Sequence, residues 1–227
     1  MDPRSLYLFF GAPGSGKGTL SKQCTERLRF EQLSTGNLLR EHVAHGSEVG
    51  KKIDLALKSG KLIDDSLITT MVIDWLGKAG SKRDHIILDG YPRTVIQAEA
   101  FNQFVQQQEG GGPLVVKLKI DEQSVIDRLS MRLICSKEEC QAVYSLASGS
   151  QCRPQFEAIC DICSAPLIRR SDDEVDAIKK RLHVYSRHES VLLDFYDKKG
   201  YRVITLDAFQ PIDVIFEEFK SKVGGFS

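Results

Sequence analysis

Short unbroken apolar runs alternate along this chain with longer stretches whose apolar residues recur every three or four positions. Leu6 to Phe10 is the first run and reads as a buried strand. A glycine-rich turn, Gly11 to Gly16, leads into Lys17 to Leu28, which has helical spacing. Phe30 to Leu33 is a short second strand. Ser34 or Thr35 can cap the polar helical stretch that follows. Glu48 to Leu57 is a further short helix ended by Ser59-Gly60, and Asp64 or Asp65 caps another that runs to about Leu76. His85 to Leu88 is a third strand, and Leu114 to Ile120 is a fourth, apolar apart from Lys117 and Lys119. Ser124 to Leu133 returns to helical spacing, which predicts one face for Arg128 and Arg132, four residues apart. An amphipathic helix is predicted over Glu174 to Lys198, a fifth strand over Tyr201 to Leu206, a loop over Asp207 to Ile212 and a last helix over Ile212 to Val223. Strand and helix in alternation predict an α/β fold. Its five-stranded parallel sheet should carry helices on both faces, with a ligand crevice at the carboxyl ends of the strands.

Composition narrows the class. The 227 residues suffice for one substantial core with small inserts. Lysine plus arginine equals aspartate plus glutamate, 31 each, which argues against nucleic-acid or membrane binding through net charge. No apolar run approaches the ~20 residues of a membrane span. Met1 to Arg4 lead straight into the first strand without a signal sequence, so a cytoplasmic protein is expected. Six cysteines in such a protein suggest metal binding or free thiols before disulfides.

Three groups of residues carry candidate chemistry. The first is F-F-G-A-P-G-S-G-K-G-T, Phe9 to Thr19. Its glycines let backbone N–H groups turn inward, the helix start adds unpaired N–H groups, and Lys17 adds a movable charge for β/γ-phosphates. This is a P-loop, with Gly14, Ser15, Gly16, Lys17, Gly18 and Thr19 as the phosphate-binding run. The hydroxyl falls at Thr19 rather than directly after Lys17, where a P-loop usually carries its Mg²⁺-ligating Ser or Thr. The second group is Asp89-Gly90-Tyr91-Pro92-Arg93-Thr94, just past a buried strand. An acid there suits hydrated Mg²⁺, and Arg93 can reach phosphates; the plainer reading is a capping acid and a surface arginine. The third is Cys135-x4-Cys140 followed by Cys160-x2-Cys163. Four thiolates from two tight turns can close a tetrahedral Zn²⁺ site with no open position. Cys152 lies close enough in sequence to replace Cys135 or Cys140, and scattered free thiols are the alternative. Cys24, in the first helix, reads as a small buried apolar residue.

The P-loop and the D-G-Y-P-R-T-x-x-Q-A string together resemble the adenylate kinase family of nucleoside monophosphate kinases, over nearly the whole chain from Phe9 to about Val223. The resemblance implies a P-loop NTPase core of residues 1–33, 64–129 and 171–227. It also implies an AMP-binding insert of 34–63 and a lid of 130–170 bearing zinc, as in bacterial long-lid members. It implies reversible Mg²⁺-dependent transfer from ATP to AMP, giving two ADP. Thr35, Arg40, Lys61, Leu62, Ile63, Gly90, Arg93, Gln97, Arg170 and Arg181 would bind AMP. The P-loop run, Arg128, Tyr144 and Gln210 would bind ATP, and Asp89 would serve the Mg²⁺ water shell. Lys17, Arg93, Arg132, Arg170 and Arg181 would surround the moving phosphoryl group, with Asp172 and Asp173 orienting lid arginines. Closure of the lid would exclude water. A monomer is expected, with nucleotides as partners and neither nucleic acid nor membrane. Three departures stand out: Tyr91 where the family usually has Phe, four residues rather than two inside the first cysteine pair, and Leu133 where many relatives have a second consecutive arginine. A kinase for UMP or CMP is the nearer rival reading. A zinc ribbon docking nucleic acid is the more distant one, weakened because only Lys137 and Arg153 are basic between Cys135 and Cys163.

Overall fold

The computed structural model describes residues 5–58, 63–79, 84–108, 111–137, 139–140, 142–148, 150 and 152–224. Its elements run β1 (Ser5–Gly11), α1 (Lys17–Leu28), β2 (Glu31–Ser34), α2 (Thr35–Ala44), α3 (Glu48–Lys58), α4 (Asp65–Ala79), β3 (His85–Asp89), α5 (Val95–Gln106), β4 (Leu114–Lys119) and α6 (Glu122–Ser130). Three short strands follow, β5 (Arg132–Cys135), β6 (Val143–Ser145) and β7 (Leu167–Ile168). A 3-10 turn (Ser171–Asp173), α7 (Val175–Lys198), β8 (Val203–Asp207) and α8 (Ile212–Val223) complete the chain. The chain divides into two compact units. The larger holds residues 1–11, 16–119 and 187–227, and the smaller holds 12–15 and 120–186.

The larger unit is built on the expected five-stranded sheet, in the order β2-β3-β1-β4-β8, with every neighbouring pair parallel. Side chains alternate across each strand, so one run of apolar residues feeds two layers. Leu8 and Phe10 of β1 join Ile86, Leu88 and Val115 on one face, under Val72 and Leu76 of α4, Phe101 of α5 and Leu192 and Tyr196 of α7. Tyr7 and Phe9 point the other way, where Phe219 of α8 meets both rings edge-on at 5.9 and 5.8 Å. Cys24 of α1 is fully buried, as its neighbours in sequence suggest.

Helix starts follow local chemistry. Ser34, Thr94 and Asp121 each accept a backbone N–H three residues on, capping α2, α5 and α6. Of the two acids before α4, Asp64 is the cap: its Oδ1 accepts the N–H groups of Ser66 at 2.8 Å and Leu67 at 3.1 Å. The Ser59-Gly60 stop predicted for α3 lies outside the described residues.

The smaller unit packs Ala12, Val125, Leu129, Ile178 and Leu182 into one cluster. A second cluster lies in a three-stranded antiparallel sheet, β6-β5-β7, around Cys135, Ala142, Tyr144, Cys160 and Leu167. Here the sequence reading needs correction. The helix expected over Ser124 to Leu133 stops at Ser130, and Arg132 opens β5 instead of sharing a helical face with Arg128. Leu133-Ile134 pairs with Val143-Tyr144, and that tertiary pairing outweighs the local helical spacing.

The sheet core should be sensitive to truncation. Phe101 is fully buried and meets Tyr91 edge-on at 5.6 Å. Phe101→Ala is expected to cost about 3–5 kcal/mol of unfolding free energy in urea denaturation.

Candidate active site

The turn after β1 starts from a backbone that only glycine adopts easily. Gly14 has φ +78° and Gly16 has φ +99°. A Cβ on Gly14 would also stand 2.8 Å from the Leu129 side chain, so two constraints select glycine there. Ser15 closes the turn through its N–H, which donates to the Ala12 carbonyl at 3.0 Å. Gly16 then begins α1 with no side chain to cap it. In contrast with α2, α5 and α6, the first N–H groups of α1 meet no capping side chain from that residue, the arrangement that suits a phosphate. Lys17 Nζ lies 2.6 Å from the Gly11 carbonyl, held at the mouth of the same turn. Thr19 follows two residues later, in the first turn of α1.

Asp89 ends β3, hydrogen-bonded in register beside Phe9 of β1. A Cβ on Gly18 would lie 3.7 Å from Asp89 Oδ2, so the carboxylate and the start of α1 are immediate neighbours. The next residue, Gly90, has φ +82° and gathers two of the residues expected to bind AMP. Thr35 Oγ1 donates to its carbonyl at 3.0 Å and Arg93 Nε at 2.9 Å. Arg40 donates to Asn37 Oδ1 within α2. Gln97 is buried in the first turn of α5. Its Oε1 accepts the Arg93 N–H at 2.7 Å, and its Nε2 donates to Asp65 Oδ1 at 2.7 Å. Ile63 lies just before α4, whereas Lys61 and Leu62 fall outside the described residues. Gln210 sits in the turn after β8, 3.4 Å from Asp207 Oδ2. Tyr91, where Phe is usual, uses its hydroxyl: its one hydrogen is shared between Thr69 Oγ1 at 3.1 Å and the Gln97 carbonyl at 3.2 Å. Burial holds that phenol protonated and pushes it up to about 12.

The smaller unit carries its own set of cations. Arg132 makes a two-pronged pair with Asp173, at 2.8 Å from Nε and 2.6 Å from Nη2, with Asp173 almost wholly buried. Arg181 lies 3.0 Å from Asp172 Oδ2 and 3.5 Å from Asp173 Oδ1. The acids at 172 and 173 thus hold two arginines, as the sequence suggests. Burial lowers the Arg128 pKa from its ordinary value. Arg170 begins the 3-10 turn as its preceding residue.

The sulfur atoms of Cys135, Cys140, Cys160 and Cys163 all lie within 4.8 Å of one another. The closest pairs are Cys135–Cys163 at 3.3 Å and Cys140–Cys160 at 3.7 Å. Tetrahedral zinc with bonds of ~2.3 Å needs sulfurs roughly 3.8 Å apart, so the donor set fits such an ion. Cys152 is exposed and stands outside this group. Tyr144 belongs to the cluster as well: its hydroxyl accepts the Asp161 N–H at 2.8 Å and lies 3.4 Å from Cys160 Sγ. Burial pushes the Cys135 thiol up to about 12. Burial would raise Cys160 too, but the Tyr144 hydroxyl, the Cys163 and Ile162 N–H groups and Cys140 outweigh it and bring it to about 6. Zinc binds thiolates, so its binding here would release the protons that the four sulfurs carry.

A family model described as adenylate kinase matches residues 9–201. The chain belongs to the adenylate kinase family. An adenylate kinase of Methanosarcina acetivorans is 34% identical over 97% of this chain and 99% of its own. Those of Fervidobacterium nodosum and Thermosipho africanus are 35% and 36% identical, over 96% and 93% of this chain and 97% and 95% of their own.

The lysine-bearing start of α1, from Gly16, and the Asp89-Gly90 turn therefore lie side by side in the larger unit, at the carboxyl ends of β1 and β3. Asp65 is the residue that sequence reading missed there. It reads locally as a helix-start acid, and its partners Thr94 and Gln97 lie too far along the chain for any spacing rule to reveal them.

Gly90→Ala tests the convergence at that turn. A Cβ would stand 2.9 Å from Thr35 Oγ1 in a left-handed backbone. Unfolding free energy is expected to fall by about 1–3 kcal/mol, read by urea denaturation.

Proposed function

We propose that the chain transfers the terminal phosphoryl group of ATP to AMP, reversibly, giving two ADP. The observation that carries this is the meeting of a lysine-bearing P-loop with the Asp89-Gly90-x-x-Arg93 turn on hydrogen-bonded parallel strands, in a chain of this family. Phosphoryl transfer asks little covalent chemistry of a protein. It asks that donor and acceptor be held in line, that charge be neutralised, and that water be kept out. The acceptor phosphate is already anionic, so no general base is required.

Each residue then has a task. The N–H groups of Gly14 to Thr19 bind the ATP phosphates, and Lys17 follows the β/γ oxygens. Arg93, Arg132, Arg170 and Arg181 stabilise charge on the transferring group; an arginine in this position contributes ~10³- to 10⁵-fold in this reaction class. Thr35, Arg40 and Gly90 bind AMP, Arg93 meets its phosphate, and Arg170 and Arg181 complete the phosphate clamp. Gln97 meets the adenine edge, and Lys61 to Ile63 line the base. Arg128, Tyr144 and Gln210 bind ATP. Asp89 would hold the water shell of Mg²⁺, which when bound with ATP neutralises the β/γ-phosphates. Residues 34–63 act as the AMP insert and 130–170 as the lid, on a core of 1–33, 64–129 and 171–227. Zinc held by Cys135, Cys140, Cys160 and Cys163 would be structural, since four thiolates would leave it no position for a reacting water. No helix among the described residues is long and apolar enough to cross a membrane. We place the enzyme in the cytoplasm, as a monomer.

Two experiments test this reading. Lys17→Met should stay folded and lose turnover by ~10²-fold or more in a coupled assay with ATP, Mg²⁺ and AMP. Near-normal turnover, or faster phosphorylation of UMP or CMP by the unaltered enzyme, would refute it. Metal analysis should find about one zinc per chain. Cys160→Ser and Cys163→Ser should lose the metal and melt lower, and Cys152→Ser should keep it. Zinc lost in Cys152→Ser but retained in Cys135→Ser would identify a different ligand set.

A further inference from the structure

Asp65 stands at the start of α4 but does not serve as its cap, because Asp64 already accepts the Ser66 and Leu67 N–H groups. Its two carboxylate oxygens instead reach across to α5. Gln97 Nε2 donates to Oδ1 at 2.7 Å, and Thr94 Oγ1 donates to Oδ2 at 2.8 Å. Thr94 Oγ1 in turn accepts the Gln97 N–H at 3.2 Å, and Gln97 Oε1 accepts the Arg93 N–H at 2.7 Å. These bonds bracket the terminal amide of Gln97 from both ends.

The bracket is chemically one-sided. A carboxylate can only accept, and a backbone N–H can only donate. If the Gln97 amide turned over, its NH₂ would face the Arg93 N–H and its oxygen would face the Asp65 carboxylate. Both contacts would become repulsive, in a site where Gln97 is 2% exposed and water cannot make up the loss. The amide is therefore confined to one orientation. It offers two hydrogens and two lone pairs, and the bracket uses one of each. One donor and one acceptor remain for a ligand, in a fixed order.

That order matters to a purine. Adenine accepts at N1 and donates from its 6-amino group. Hypoxanthine does the reverse, donating from N1–H and accepting at its 6-oxo group. We propose that Asp65 is a positioning residue that fixes the Gln97 amide and so selects a 6-amino over a 6-oxo purine monophosphate. The inference rests on the reading that Gln97 meets the base of the acceptor. Asp65 itself need not touch the nucleotide.

The test compares AMP and IMP as acceptors, with ATP and Mg²⁺, in the unaltered enzyme and in Asp65→Ala, Asp65→Ser, Asp65→Asn and Gln97→Ala. The ratio of kcat/KM for AMP over IMP should fall by about tenfold or more in Asp65→Ala and Asp65→Ser, because the amide can then turn over. The change should lie in KM for the acceptor, with KM for ATP altered by less than about twofold. Asp65→Asn should restore the ratio to within about threefold, since its carboxamide oxygen still accepts from Gln97 while Thr94 Oγ1 changes from donor to acceptor. Gln97→Ala should abolish the preference. A purely structural role for Asp65 would lower the melting temperature and leave the ratio intact in every Asp65 variant. That result with the preference lost in Gln97→Ala would overturn the positioning role while sparing the base contact. An unchanged ratio in Gln97→Ala would overturn both. The Ser variant keeps the test open should Asp65→Ala fail to fold, since Ser is well tolerated at a helix start yet too short to span to Gln97.

Discussion

The register between β1, β2 and β3 governs the larger unit. Asp89 lies opposite Phe9 on one side and opposite Ser34 on the other. β2 and β3 therefore end at one level, and β1 runs two residues past it to Gly11. From this edge of the sheet the P-loop, the Ser34-Thr35 helix start and the Asp89-Gly90 turn all depart. A slip of one residue would exchange the two faces of β1, moving Leu8 and Phe10 into the layer that Tyr7 and Phe9 fill. Burial on both faces forbids the slip, because each layer is packed with aromatic rings of fixed geometry. The apolar core thus sets the relative positions of polar groups that it never touches. Thr35 and Arg93 converge on the Gly90 carbonyl because hydrophobic pairing places their backbones there.

Where a local rule and the tertiary structure agree, the sequence is easy to read. Lys17–Leu28 and Ile212–Val223 form as helices with the bounds their periodicity predicts, and the strands of the main sheet fall within a residue or two of theirs. The P-loop is legible because its glycines and lysine are contiguous. The cysteine site is legible because thiolate spacing reports two tight turns. Arg132 is the opposite case. Its spacing from Arg128 is helical, yet the chain turns at Met131 because Leu133 and Ile134 find strand partners at Val143 and Tyr144. Those partners lie ten residues on, beyond any helical repeat. Asp65 fails for the same reason at longer range: nothing near it in sequence announces Thr94 or Gln97. What stays hidden is long-range polar pairing, since hydrogen bonds between distant side chains leave no periodic trace.

Capping illustrates how the site is differentiated from the scaffold. Ser34, Thr94 and Asp121 satisfy the first turns of their helices with their own oxygens. These helix starts are closed to an incoming anion in proportion as they are stabilised. Gly16 gives α1 no such oxygen, so the stabilisation a side-chain cap would add over glycine, about a few tenths of a kcal/mol, is forgone. The same exchange appears at Gly14, where the left-handed backbone and the Leu129 contact exclude any other residue. Residues that weaken the scaffold locally are concentrated at the P-loop, which is where a phosphate would restore what they omit.

The smaller unit solves a different problem, that of an insertion too small to hold itself together. Its three-stranded sheet buries few side chains, and β7 has two residues. Such a segment needs fastening at both ends. At its base, Arg132 opens β5 and Asp173 ends the 3-10 turn, 41 positions apart in sequence, joined by two short hydrogen bonds. A buried ion pair of this kind adds little net stability, since both ions lose hydration. Its effect is geometric: the carboxylate admits the guanidinium in one plane and leaves it no other partner of equal strength. At its far end, four sulfurs from two turns converge, with Tyr144 bridging from Asp161 to Cys160. The two fastenings differ in chemistry: sulfurs that converge on one point fix position, whereas a two-pronged carboxylate also fixes the plane of the Arg132 guanidinium.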